Sequence, residues 1–157
     1  MATSTARLAN HNRGIQRPGA TSASAASPAR PATDGEKIAR GVGAIGILGV
    51  GLIHFLDVVG KFQETAYIGV LYLALIAGSL VAARHLILVG DWRSWLLAGG
   101  LAAATFAAYA VSRTFGLPAS TDDIGNWSEP LGLASLFVEG AVVLLSAEVL
   151  ARLRRND

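Results

Sequence analysis

The stretch Pro130-Leu-Gly-Leu-Ala-Ser135-Leu-Phe-Val-Glu139-Gly-Ala-Val-Val-Leu-Leu-Ser146-Ala-Glu148-Val-Leu150 decides the fold class. It is almost wholly apolar and as long as the roughly 20 residues a helix needs to cross a bilayer. Pro130 suits a first helical turn, and Ser128 before it suits a cap. Nine residues at 1.5 Å each put Glu139 about 13 Å below that start. In a hydrocarbon core about 30 Å thick that is near the middle. An ionised carboxylate there costs about 2.5–3.5 kcal/mol on insertion scales, so Glu139 is expected to face other helices. Gly132, Ser135 and Ser146 fall on the same helical face and make a narrow small or polar stripe.

Three similar blocks precede it: Gly41 to Val59, Thr65 to Ala83 and Trp95 to Val111. Buried helices of a soluble protein are the alternative. The chain is 52% hydrophobic and 15% charged, against roughly 25% charged residues in a soluble domain. The expected fold class is therefore an all-α membrane protein, a bundle of four transmembrane helices over residues 38–157, embedded in a lipid bilayer. Residues 1–37 differ. From Gly14 to Thr33 they are Ala, Ser, Thr, Pro and Arg with almost no large apolar side chain. Such a stretch buries too little surface to offset chain entropy and reads as a disordered tail. No apolar run of signal-peptide length follows its early arginines.

The chain has no cysteine and its one Met is Met1. That excludes disulfides, Cys-ligated zinc, iron–sulfur clusters, thiol catalysis and a thioether path for Cu(I). There is no nucleophile triad, phosphate loop or nucleic-acid patch, and the composition argues against a soluble enzyme.

Basic residues orient the spans. The tail, the loop between spans two and three and the C-terminus hold 11 of the 13 Lys and Arg; Lys61 and Arg113 are on the other side. Both termini are thus expected in the cytoplasm, and the protein in the plasma membrane. Small residues recur at packing intervals: Gly43, Gly46 and Gly49 in span one, Ala74, Gly78 and Ala82 in span two. In span three the series are Gly99, Ala103, Ala107 and Gly100, Ala104, Ala108. They read as faces where helix backbones approach closely. No internal repeat supports an inverted-repeat transporter.

Polar residues concentrate in the outer half. His54 and Asp57, three apart, share a face of span one. Glu64 and Tyr67 open span two, with Tyr72 deeper, and Thr105 and Tyr109 lie toward the outer end of span three. The 18-residue loop from Ser112 to Glu129 holds Arg113 among Asp122, Asp123 and Glu129, one of which it is expected to pin. Trp127 suits an interfacial belt. Together His54, Asp57, Glu64, Tyr109, Arg113 and Glu139 outline a site for a proton, a metal ion or a small ligand. His54, Asp57 and Glu139 are the candidate ligands for a divalent metal. His85 lies at the cytoplasmic end and His11 in the tail. The competing reading is that Glu139 and His54 are interhelical hydrogen-bond glue, each bond worth about 0.6 kcal/mol.

Several of these residues carry a resemblance: Ile53-His54, Glu64 with Tyr67-x-Gly69, the run Ser112-Arg-Thr-x-Gly-Leu-Pro118, Glu129-Pro130-x-Gly132, and Glu139. Over residues 38–152 the chain resembles a group of small four-span membrane proteins of actinobacteria. In that group a Gly-Pro pair often follows the loop proline, where this chain has Ala119, Ser120 and Thr121. The resemblance implies the four-span fold and a shared outer site, and it brings no reaction with it. Gly51-Leu-Ile-His-Phe55, Phe62 and Tyr67-Ile-Gly69 also resemble spans one and two of the family related to DoxX, which includes redox-associated proteins.

Three functions follow as expectations. One is a non-enzymatic membrane protein with an outer polar site. Another is an accessory subunit packed against other membrane proteins or a second copy. The last is an enzyme or quinone-linked redox component of the DoxX-like kind, for which haem would need an axial pair while His54 is the one well-placed histidine. Reporter fusions at Asp157 and within Ala119–Thr121 should report opposite sides of the membrane. The same side for both would overturn the four-span topology.

Overall fold

The computed structural model describes residues 32–156. The expected disordered tail lies, apart from its last few positions, outside the described residues. Four helices follow one another: α1 (Asp34–Glu64), α2 (Ala66–Leu88), α3 (Trp92–Phe115) and α4 (Pro130–Asn156). Each is long and apolar enough to cross a membrane.

All four extend beyond the apolar blocks, because polar caps and charged turns continue the helix into the interface. α1 starts at Asp34, inside the stretch expected to be tail. Thr33 and Glu36 form a capping box: the Glu36 amide donates to Thr33 Oγ1 at 3.3 Å and the Thr33 amide to Glu36 Oε2 at 2.6 Å. This satisfies two amides that would otherwise lack partners. Thr65, extended at ψ 101, both ends α1 and precedes α2, so the chain reverses through a single residue. Asp91 caps α3, accepting from the Ser94 amide at 2.9 Å and the Ser94 hydroxyl at 2.7 Å. These bonds hold its carboxyl below the usual carboxylate range. The cap's contribution is therefore complete above that range and lost as pH falls through the lowered pKa. Pro130 opens α4 as expected, but Ser128 makes no capping bond among the described residues. The Glu129 carbonyl instead accepts from the Leu133 amide at 2.9 Å.

The helices run alternately up and down around a four-sided ring. α1 packs along α2 and α4, and α3 packs along the same two. The glycines show how close these approaches are. A Cβ at Gly46 would lie 2.6 Å from Val142 Cγ2, one at Gly99 2.7 Å from Ser146 Cβ, and one at Gly132 2.5 Å from the Tyr109 ring. The span-one face thus forms as read, with Gly43 against Trp95, Gly46 against Val142 and Gly49 against Val138.

The span-three face does not. Ala103, Ala104 and Ala107 are exposed, and Gly100 has nothing within 4 Å of a built Cβ. The inward residues are Trp95, Ala98 and Ala102, with Gly99 at the edge. Two large rings set this rotation: Trp95 fills the space at Gly43, and Tyr109 the space at Gly132. Spacing alone could not choose between the small faces. In α2 the face forms in part: Ala82 is fully buried and a Cβ at Gly78 would lie 3.2 Å from Leu101 Cδ1, while Ala74 is exposed.

The bundle interior divides along its length. Toward the chain termini it is mainly apolar: Ala44, Ile47, Val50, Ala82, Ala83, Leu86, Trp95, Ala98, Ala102 and Val142 form one cluster, with Ser79, Ser94 and Ser146 the buried hydroxyls in that half. Toward the α3–α4 loop it turns polar. The outer surface is the reverse of a soluble protein's, with Ile45 74%, Phe137 78% and Leu144 72% exposed. Such a girdle belongs in lipid, and the chain is a multi-pass membrane protein.

Gly46→Leu should lower the detergent melting temperature by several degrees, since overpacking costs about 1–3 kcal/mol. Gly100→Leu should leave it unchanged. Equal effects, read by fluorescence-detected size exclusion after heating, would contradict this packing.

Candidate functional site

The polar end of the bundle encloses a cavity of about 110 Å³ that receives side chains from all four helices and the α3–α4 loop. α1 supplies His54, Asp57 and Lys61, and α2 supplies Tyr72. α3 contributes Thr105, Tyr109, Ser112 and Arg113; α4 contributes Ser135 and Glu139.

Glu139 is the deepest acid. It is 0% exposed, and its Oε1 accepts from the Ser135 hydroxyl one turn earlier at 2.6 Å. Its Oε2 is buried without a hydrogen-bond partner among the described residues. The helical stripe read from the sequence therefore turns inward, and Ser135 is the residue on it that holds the carboxyl. A carboxylate oxygen left bare away from water costs more than a neutral polar atom would.

His54 is 7% exposed. Its Nδ1 lies 2.9 Å from the Val50 carbonyl oxygen. A carbonyl can only accept, so Nδ1 carries the proton, and in the neutral ring Nε2 is the open acceptor. The ring also meets the edge of Tyr72 at 4.6 Å. Asp57, half-buried, makes no hydrogen bond or ion pair among the described residues.

Near the mouth, charges are paired. Arg113 is 5% exposed and ion-paired with both Asp123 and Glu129, its guanidinium 4.8 Å from the centre of the Tyr109 ring. The expected pinning of the loop thus uses two of the three acids, and Asp122 is left exposed. Lys61 bridges Glu64 at 2.7 Å and Asp123 at 3.7 Å. The loop is fastened further by its backbone. The Gly125 amide donates to the Arg113 carbonyl at 2.8 Å, Tyr67 Oη to Pro118 O at 2.8 Å and Thr65 Oγ1 to Ala119 O at 3.2 Å. Ala119 has φ 57, the left-handed region that favours glycine. Trp127 stands edge-on to Tyr109 at 6.1 Å.

Of the residues read from the sequence, His54, Asp57, Tyr109, Arg113 and Glu139 line one cavity. Glu64 does not: it is exposed and paired with Lys61, because the helix ends there and its side chain reaches back along α1. No three of the His, Asp and Glu side chains converge closely enough to hold a metal ion among the described residues. His54, Asp57 and Glu139 share the cavity without forming a ligand cluster. Lys61 and Asp123 were visible in the sequence only as topology and loop charges, since their partnership crosses from α1 to a loop some 60 residues away. Four polar atoms on residues that line the cavity have no hydrogen bond among the described residues: Glu139 Oε2, Arg113 Nε and Nη1, and the Tyr109 hydroxyl.

A scan of family models, a search of curated proteins and a search of solved structures each find no match to this chain.

Proposed function

We propose that this is a non-enzymatic plasma-membrane protein with both termini in the cytoplasm, whose cavity near the outer face binds a small polar ligand. The observation that carries the reading is the Glu139 carboxyl: fully buried, held at one oxygen by Ser135, bare at the other, and lining a space. Packing alone gives no reason for it. A well-packed apolar side chain at such a place is commonly as stable as a buried charge or more so, and buried ionisable groups in membrane helices mark function by default. At about 110 Å³ the space is below the size of drug-binding pockets and admits a ligand of only a few heavy atoms. The competing reading is an accessory subunit in which Glu139 and His54 are glue.

The natural absence of cysteine makes the test clean. Thr105 lines the cavity, and Phe106 beside it, at nearly the same depth, faces outward. Thiols react as thiolates, which form in water and not in hydrocarbon. A water-soluble methanethiosulfonate should therefore label Thr105→Cys from outside and spare Phe106→Cys. Equal, negligible labelling would mean that the cavity is closed to water and would overturn the binding reading. Glu139→Leu, which removes the hydrogen bonding that Glu139→Gln would keep, supplies a second measurement. For a binding residue it should leave the melting temperature unchanged or higher, since site residues are often held at a cost in stability. A fall of several degrees would support glue.

A further inference from the structure

Resting on the reading of this cavity as a binding site, we propose that its ligand is a small organic ammonium group. The cavity has two fixed cations, and both are already engaged. Arg113 is held by Asp123 and Glu129, and Lys61 by Glu64 and Asp123. Of the four acids that line the space, Asp123 and Glu129 are those partners. The other two, Asp57 and Glu139, have no ion-pair partner among the described residues, and Glu139 Oε2 has no hydrogen bond at all while being fully buried. The cavity is thus short of positive charge, although Arg113 Nε and Nη1 and the Tyr109 hydroxyl are also without a hydrogen bond among the described residues.

The other polar groups agree. His54 turns its proton to Val50 O, which leaves Nε2 as an acceptor in the neutral ring. Thr105 Oγ1 donates to Leu101 O at 2.7 Å, so only its lone pairs remain. An anion would meet two acids without an ion pair, while Lys61 and Arg113 are each already ion-paired with two acids, even though Arg113 Nε has no hydrogen bond among the described residues. A neutral polar ligand would bring no positive charge to the two acids that have no ion pair. A divalent metal would need a converging set of ligands, and no three His, Asp or Glu side chains provide one among the described residues. An ammonium brings one positive charge and several N–H donors. Its short alkyl portion would lie against Ile53, Ile68 and Leu131, which also line the space.

The ammonium could belong to a free amine or to an ethanolamine lipid headgroup, and the test separates the two. Purified Thr105→Cys protein is labelled with the trimethylammonium methanethiosulfonate in bilayers of phosphatidylglycerol alone. Ethylammonium chloride, ethanol or sodium chloride is added at matched concentration. At about ten times its dissociation constant, ethylammonium should slow labelling about tenfold, and ethanol and sodium should not. Asp57→Asn and, separately, Glu139→Gln should abolish the protection while giving the native size-exclusion profile. Bilayers with phosphatidylethanolamine that protect without added amine would assign the group to a lipid headgroup; protection only by added ethylammonium would assign it to a free amine. Equal protection by ethanol or by sodium would overturn the ammonium assignment and leave a polar-ligand site standing. Protection by none of them, with Thr105→Cys still reactive, would overturn it as well.

Discussion

The guanidinium of Arg113 is the constraint on which the loop end of this bundle depends. It sits in the last turn of α3, almost without exposure, between Asp123 of the loop and Glu129 just before α4. A charge in that position is tolerable only if it is matched, because removing one partner would leave the others buried and unpaired. Matching it fixes where the loop returns and where α4 begins. It also fixes the roof of the cavity, since Asp123 reaches across to Lys61 on α1. The Tyr109 ring beneath the guanidinium takes the place that Gly132 leaves open, and so sets the rotation of α3 against α4.

Much of this was legible in the sequence, and the reasons are physical. Lipid tolerates few backbone arrangements, so four apolar blocks in succession leave little choice beyond four helices. A carboxyl at the depth of Glu139 is too costly in lipid, so its inward orientation could be read from position alone. Pro130 marks the start of α4 because its missing N–H is harmless there. Arg113 could be expected to pin the loop because it was the fixed cation beside three acids. Other features were hidden for equally physical reasons. The α3 helix carries small residues nearly all round, so spacing did not show which face is inward; the two bulky rings decided it. The side chain of Glu64 was one turn from a lysine and found it in preference to the cavity. The capping box at Thr33 and Glu36 was written in the sequence as a Thr-x-x-Glu signature, and it extends α1 into what its composition suggested was tail.

The two halves of the interior answer different demands. The half near the termini is built for stability. Trp95, Ile47, Leu86 and Val50 are essentially unexposed and meet small residues on neighbouring helices. The other half gives up that packing. It leaves a bare carboxylate oxygen and an aspartate without an ion pair in a space large enough for water. Sites that bind are commonly less stable than they could be, and the loss is tolerated where the rest of the fold supplies enough. Here the division runs along the bundle axis, so the stable half anchors the helices whose other ends carry the polar groups.

That division also bears on what the cavity can do. Below Glu139 on α4 comes Val142, below Thr105 on α3 comes Ala102, and below His54 on α1 come Val50 and Ile47. Val142, Ala102, Val50 and Ile47 all belong to the apolar cluster. A hydrophilic ligand moving past Glu139 toward the termini would meet only the buried hydroxyls of Ser79, Ser94 and Ser146 among apolar side chains, and would have to displace Trp95 or Leu86. Close-packed interiors do not open in this way without a second arrangement of the helices. In the packing described here the cavity is a pocket with one end, and that geometry favours capture of a ligand over its passage. Transport would demand a change in which α1 and α3 separate at Gly43 and Trp95, where the indole fills the space beside the glycine.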